Sequence, residues 1–205
     1  MKKHILLSIG LATLLAPAAQ AGQEQLAQSI RDAQVEATRT SDQLKATLGA
    51  ITELTKQKSG DLRPAYNNFC AEVSKTQAAA TATKTRVQWM ASDGLQYFAD
   101  WQNTINSINN ESLKKQAQKR LDAVKKSYDK VETQLQTASD KFSPFLSDLG
   151  DIQKFLAADI TPGGVKAVKG TVKSANWNHQ FVDKAVKSAL KEMDKMQKAL
   201  STEAM

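Results

Sequence analysis

Apolar and small side chains recur through this chain at alternating steps of three and four residues, and no other feature restricts its fold as much. That period belongs to helices that bury one stripe against neighbours along their whole length. The first stripe runs Leu26, Ile30, Ala33, Ala37, Thr40, Leu44, Leu48, Ile51. The second, the most regular, runs from Leu62 through Phe69, Val73, Thr76, Val87, Met90, Gly94 and Tyr97 to Trp101 and Ile105. A third resumes at Leu113 and passes Leu121, Val124, Tyr128, Val131 and Phe142, then Leu149, Ile152, Phe155 and Leu156. The last runs Val165, Val168, Val172, Ala175, His179, Val182, Val186, Leu190, Met193, Met196, Leu200.

Three breaks separate the stripes. At QKSGD, Gly60 suits a left-handed cap and Asp61 can start the next helix. SINNES offers two asparagines for one helix end and Ser112 to cap the next. DITPGG, with Pro162 and Gly163-Gly164, reads as a loop. Within the helices, Gly94 is a candidate kink and Pro144 a candidate bend, since each weakens a helix interior. The stretch Thr76–Thr85 has no large side chain and predicts a narrow waist in the packing. The expectation is all-α: an elongated antiparallel up-down-up-down bundle with coiled-coil-like packing. Its helices fall at about 23–57, 62–106, 112–158 and 164–201.

The opening residues have the form of a secretory leader, covering 1–21. Lys2 and Lys3 precede an apolar run from Ile5 to Leu15, and Ala19-Gln20-Ala21 supplies a small-x-small cleavage site. The run is too short to cross a bilayer, and no later segment is apolar enough to do so. The expectation is an exported, periplasmic, soluble chain starting at Gly22, with residues 22–205 as one bundle domain. The formal charge of +7, lowered by two with the leader, is modest for a nucleic-acid binder. Cys70 is the only cysteine, so no internal disulfide can form. It reads either as a small half-buried hydrophobe or as one half of an intermolecular disulfide.

Four stretches carry a family likeness: RDAQ (31–34), FADWQNTINSINNESLKK (98–115), RLDAVKKSYDKV (120–131) and SPFLSDLGDIQKFL (143–156). Together they resemble a bacterial envelope family catalogued as domain of unknown function 2959. The resemblance implies a helical fold and an envelope location, and brings no reaction or ligand. Many such proteins look like lipoproteins with a cysteine at the cleavage site. Here Ala21-Gly22-Gln23 stands there, so a lipid anchor is not carried over.

No arrangement of residues points to catalysis, to a metal or to a cofactor. His179, the one histidine beyond the leader, has no second histidine or spaced carboxylate and reads as a hydrogen-bonded imidazole at the core edge. TPGGVK joins two helices and lacks the strand that precedes a phosphate-binding loop. The expectation is a protein that is not an enzyme.

The last helix carries the one surface signal. At 100° per residue, Lys166, Lys169, Lys173, Lys184, Lys187, Lys191, Lys195 and Lys198 share an arc of about 80°, opposite the apolar stripe. Trp177 and Phe181 also fall outside the stripe. The ordinary reading is a solvated face, with the two aromatics covered by another part of the chain. A second reading makes these ten residues the contact for an anionic envelope surface, and a third makes them a protein interface. The functional expectation is an envelope binding or structural protein that meets an anionic surface or protein partner through this helix; homo-oligomers stay open. The alternative is a periplasmic holdase, suggested by the Ala/Thr waist and by Met193 and Met196.

Overall fold

The computed structural model describes residues 16–201, with side chains from Gln20. The lysines and apolar run of the leader lie outside the described residues. Four helices follow one another: α1 (Ala16–Lys56), α2 (Arg63–Asn106), α3 (Glu111–Ala158) and α4 (Pro162–Ser201). No strand occurs among the described residues. At 1.5 Å per residue, the 44 residues of α2 span about 66 Å, so the bundle is long and thin.

The helices form a ring. α1 packs on α2 and α4, and α3 packs on α4 and α2, with no diagonal contacts. Cross-helix pairs show that all neighbours are antiparallel. Between α1 and α2, Arg86 meets Asp32 at 3.2 Å and Thr47 meets Thr76 at 2.7 Å. Between α2 and α3, the Tyr66 hydroxyl donates to the Gln153 carbonyl (3.0 Å) and the Tyr128 hydroxyl to that of Met90 (3.1 Å). Between α3 and α4, the Phe145 and His179 rings lie 6.3 Å apart. Gln34 of α1 donates to Asp194 of α4 at 2.7 Å.

The core divides into two bodies. One gathers Leu44, Ile51, Leu54, Phe69, Phe145, Leu149, Ile152, Leu156 and the valines of α4 up to Val182. The other gathers Leu26, Ile30, Met90, Tyr97, Tyr128, Val131, Met193 and Met196. Between them is the expected waist. No side chain of α2 is buried from 77 to 89, nor any of α3 from 132 to 144. Polar groups fill part of it: Thr40 and Thr83 hydroxyls meet at 2.9 Å, and Thr47 also lies within 3.0 Å of the Glu72 carbonyl. Each fully buried aliphatic side chain in the two bodies stabilises the fold by about 1.5–3 kcal/mol, so the ends hold the bundle together.

Several local expectations change. Among the described residues α1 extends ahead of position 23, from Ala16, and runs without a break past Ala21. Its first buried side chain among the described residues is Leu26, so cleavage after Ala21 would remove none. Gly60 has φ +90° as expected, and the Asp61 carboxylate accepts from the Arg63 amide at 3.0 Å. Asn110, not Ser112, caps α3; its side chain accepts from the amides of Ser112 and Leu113. Only the second half of DITPGG, from Pro162, is helix. Pro162 occupies the first turn of α4, where its missing N–H does no harm, and Thr161 Oγ1 accepts from the Gly164 amide at 3.1 Å. Gly94 is not a break but a close contact with Tyr128. Pro144 sits exposed inside an uninterrupted α3. Leu113 is exposed rather than in the stripe, because α3 projects past the end of α4 there.

Candidate functional site

On α4 the buried residues are Gly164, Val165, Val168, Val172, Ala175, Val182, Ala185, Ala189, Met193, Met196 and Leu200, which fixes the outward face. Every lysine of α4 is exposed. The helix carries eight lysines, no arginine and three acids, so most of the chain's positive excess lies along this one rod.

The acids are all turned to the flanks and engaged. Asp183 pairs with Lys187 at 2.6 Å, and that hydrogen bond holds its carboxyl below the usual carboxylate range. Glu192 pairs with Lys195 at 2.6 Å, with the same consequence. Asp194 accepts from Gln34 of α1. Lys166, Lys169, Lys173, Lys184 and Lys191 make no ion pair among the described residues. Along the helix axis they span about 38 Å.

In the middle of that row stand the two aromatics. Trp177 is 61% exposed and Phe181 46%, with their rings edge to face at 5.9 Å. No described part of the chain covers them, contrary to the ordinary expectation. The geometry explains why: α4 packs on α1 through Asp183 and on α3 through Asn178, whose side chain reaches Asp148, and the face between those flanks has no neighbour.

Two further exposed aromatics escaped the sequence reasoning. Phe155, read as core, is 46% exposed, while Leu156 is buried. Adjacent helix residues lie 100° apart, so at most one of two large neighbours points to the middle of the core stripe; the step of four from Ile152 to Leu156 was the available signal. Phe155 lies two turns after Asp148, on the flank of α3 that faces α4, near the Asp151–Lys154 pair at 3.2 Å. Trp89 of α2 is exposed too, but the Arg86 guanidinium lies 4.7 Å from its ring centre and is itself paired with Asp32. Trp177 has no comparable neutralised surround.

The remaining side chains singled out in the sequence sit in the core or at its edge. His179 is half-buried against Phe145, and its Nε2 is buried without a hydrogen-bond partner, unlike the bonded imidazole expected. Burial pushes its pKa down; Asp183 opposes the shift, and Lys45 and Lys187 add to it. Cys70 is half-buried. Met193 and Met196 are fully buried core and offer no adaptable surface. No group of three or more His, Cys, Asp or Glu residues that could hold a metal occurs among the described residues. No described helix is long and apolar enough to cross a membrane. A surface depression between α1 and α4, lined by Arg31, Asp194, Gln197, Lys198 and Ser201, has its carboxylate engaged by Gln34.

The family model described as protein of unknown function (DUF2959) matches residues 19–200, nearly the whole described bundle. The chain belongs to this family. Comparison with curated proteins and with solved structures found no match. The DUF2959 match covers all four helices, so the α4 row lies within the family domain.

Proposed function

We propose that this DUF2959 protein is an exported, non-enzymatic binding protein whose rod-like bundle presents α4 to an anionic component of the cell envelope. The observation that carries the reading is the row of five exposed lysines that form no ion pair among the described residues, on a helix whose three acids all turn aside. A merely solvated face gains from mixed charge and local pairing, as on α1, where Lys45–Asp42 and Lys56–Glu53 pair three residues apart. Unpaired like charges along one line repel each other, and an anionic partner relieves that repulsion. Export is supported by the leader's charge, length and cleavage pattern.

The test is binding to an immobilised polyanion and to acidic vesicles as salt is raised. Attraction between exposed charges is screened within about 8 Å at physiological ionic strength, so binding should fall steeply with salt. The variant Lys166→Gln/Lys173→Gln/Lys184→Gln/Lys191→Gln should bind both targets far more weakly. Unchanged, salt-insensitive binding would remove the reading. Export is checked separately by N-terminal sequencing of the secreted chain, with Gly22 expected first.

A further inference from the structure

We infer that the anionic component is a phospholipid bilayer, met side-on along α4, with Trp177 and Phe181 entering the headgroup region. This rests on the lysine-row reading above and names its partner. Lysines alone suffice to hold a soluble polyanion, and such a ligand gives two neighbouring aromatics no apolar place to go. A bilayer does, because Trp rings favour the boundary between headgroups and acyl chains. Trp177 and Phe181 stand one turn apart in edge contact, exposed, with Lys173 four residues before and Lys184 three after. Charges therefore flank the aromatics on the same outward face, as an interfacial anchor requires.

The chemistry of the row also favours lipid over protein. Protein interfaces enrich arginine and deplete lysine, because the planar guanidinium pairs in fixed geometry. All eight cations of α4 are lysines, which are mobile point charges suited to a fluid array of headgroups. The face is the convex side of one helix, and Gly170, Ser174 and Ser188 lie exposed or half-exposed beside the aromatics, so nothing bulky holds a flat surface away. Asp148 and Asp151 of α3 border the other side of the seam, which limits the contact to α4 and leaves Phe155 at its edge.

The experiment uses the full exported chain with vesicles of phosphatidylglycerol in phosphatidylcholine, vesicles of phosphatidylcholine alone, and soluble polyphosphate. Trp177→Ala/Phe181→Ala should weaken binding to acidic vesicles by roughly tenfold or more and leave polyphosphate binding unchanged. Trp89→Ala should change neither. Loss of the lysine row should weaken both, by about fivefold per lysine at the vesicle. In a Trp89→Phe/Trp101→Phe background, Trp177 emission should shift to the blue on acidic vesicles and be quenched by lipids brominated near the headgroup. Wild-type vesicle affinity in the Trp177→Ala/Phe181→Ala variant, or unshifted Trp177 emission, would overturn the bilayer inference while polyphosphate binding kept the lysine-row reading standing. Loss of polyphosphate binding's dependence on the lysines would instead bring down that reading. Trp177 and Phe181 are exposed, so circular dichroism of their variant should match wild type.

Discussion

Tyr128 lies so close over Gly94 that a Cβ on the glycine would come within 2.6 Å of the tyrosine Cζ and hydroxyl oxygen. The same hydroxyl donates to the Met90 carbonyl, one turn earlier on α2. Gly94 thus gives up about 1 kcal/mol of helix propensity to let α2 and α3 approach around a buried ring. Gly94→Ala should be net destabilising, because overpacking costs about 1–3 kcal/mol. In a Tyr128→Leu background the same change should turn neutral or stabilising. Thermal melts of the four proteins measure this; a more stable Gly94→Ala in the wild-type background would refute it.

A second glycine pair tests the turn into α4. A Cβ at Gly164 would collide with the Asp159 carbonyl oxygen, whereas one at Gly170 meets nothing within 4 Å. Gly170→Ala is expected to stabilise by about 0.5–1 kcal/mol through helix propensity. Gly164→Ala is expected to destabilise, because the three-residue connection cannot shift without moving the end of α3. Urea midpoints of opposite sign are the outcome sought.

The waist offers a double-mutant cycle. Thr47 and Thr76 hydroxyls meet at 2.7 Å in full burial. Removing Thr47 strands the buried Thr76 hydroxyl, at about 1–3 kcal/mol, whereas Thr47 without Thr76 keeps the Gln43 and Glu72 carbonyls at 3.1 and 3.0 Å, and replacing both with valine keeps shape and removes the need. Thr47→Val alone should therefore cost more than Thr47→Val/Thr76→Val. Equal costs from chemical denaturation would show that the pair does not act as a unit.

His179 should make stability depend on pH. Burial lowers its folded-state pKa below the ordinary 6.5, so the unfolded chain takes up the proton first as pH falls. Its contribution is present above about pH 6.5 and declines through the lowered folded pKa. His179→Gln should flatten the decline in unfolding free energy as the pH falls below about 6.5. A slope identical to wild type would mean that the imidazole is free to reach solvent when protonated.

Much of the bundle was legible because helix periodicity is local. Phe69, Val73, Met90 and Tyr97 had to share a face whatever lay opposite, and they are buried together with the stripe. Phe155 and Leu113 were misplaced for a different reason. A stripe read by eye admits either of two adjacent apolar residues, and it cannot know where a neighbouring helix ends. The lysine arc and the outward phase of Trp177 and Phe181 were readable from α4 alone. Whether anything covered those rings was not.

Spacing of apolar side chains and the chemistry of three short breaks determined four long antiparallel helices, since amphipathic faces and caps depend on residues a few positions apart. The ring order, the place of Tyr128 against Gly94, the division of the core and the bare aromatic pair were decided only in three dimensions. Each of these depends on which side chains arrive from another helix, dozens of residues away. One strand of sequence carries its own faces, but only packing decides which faces are left over.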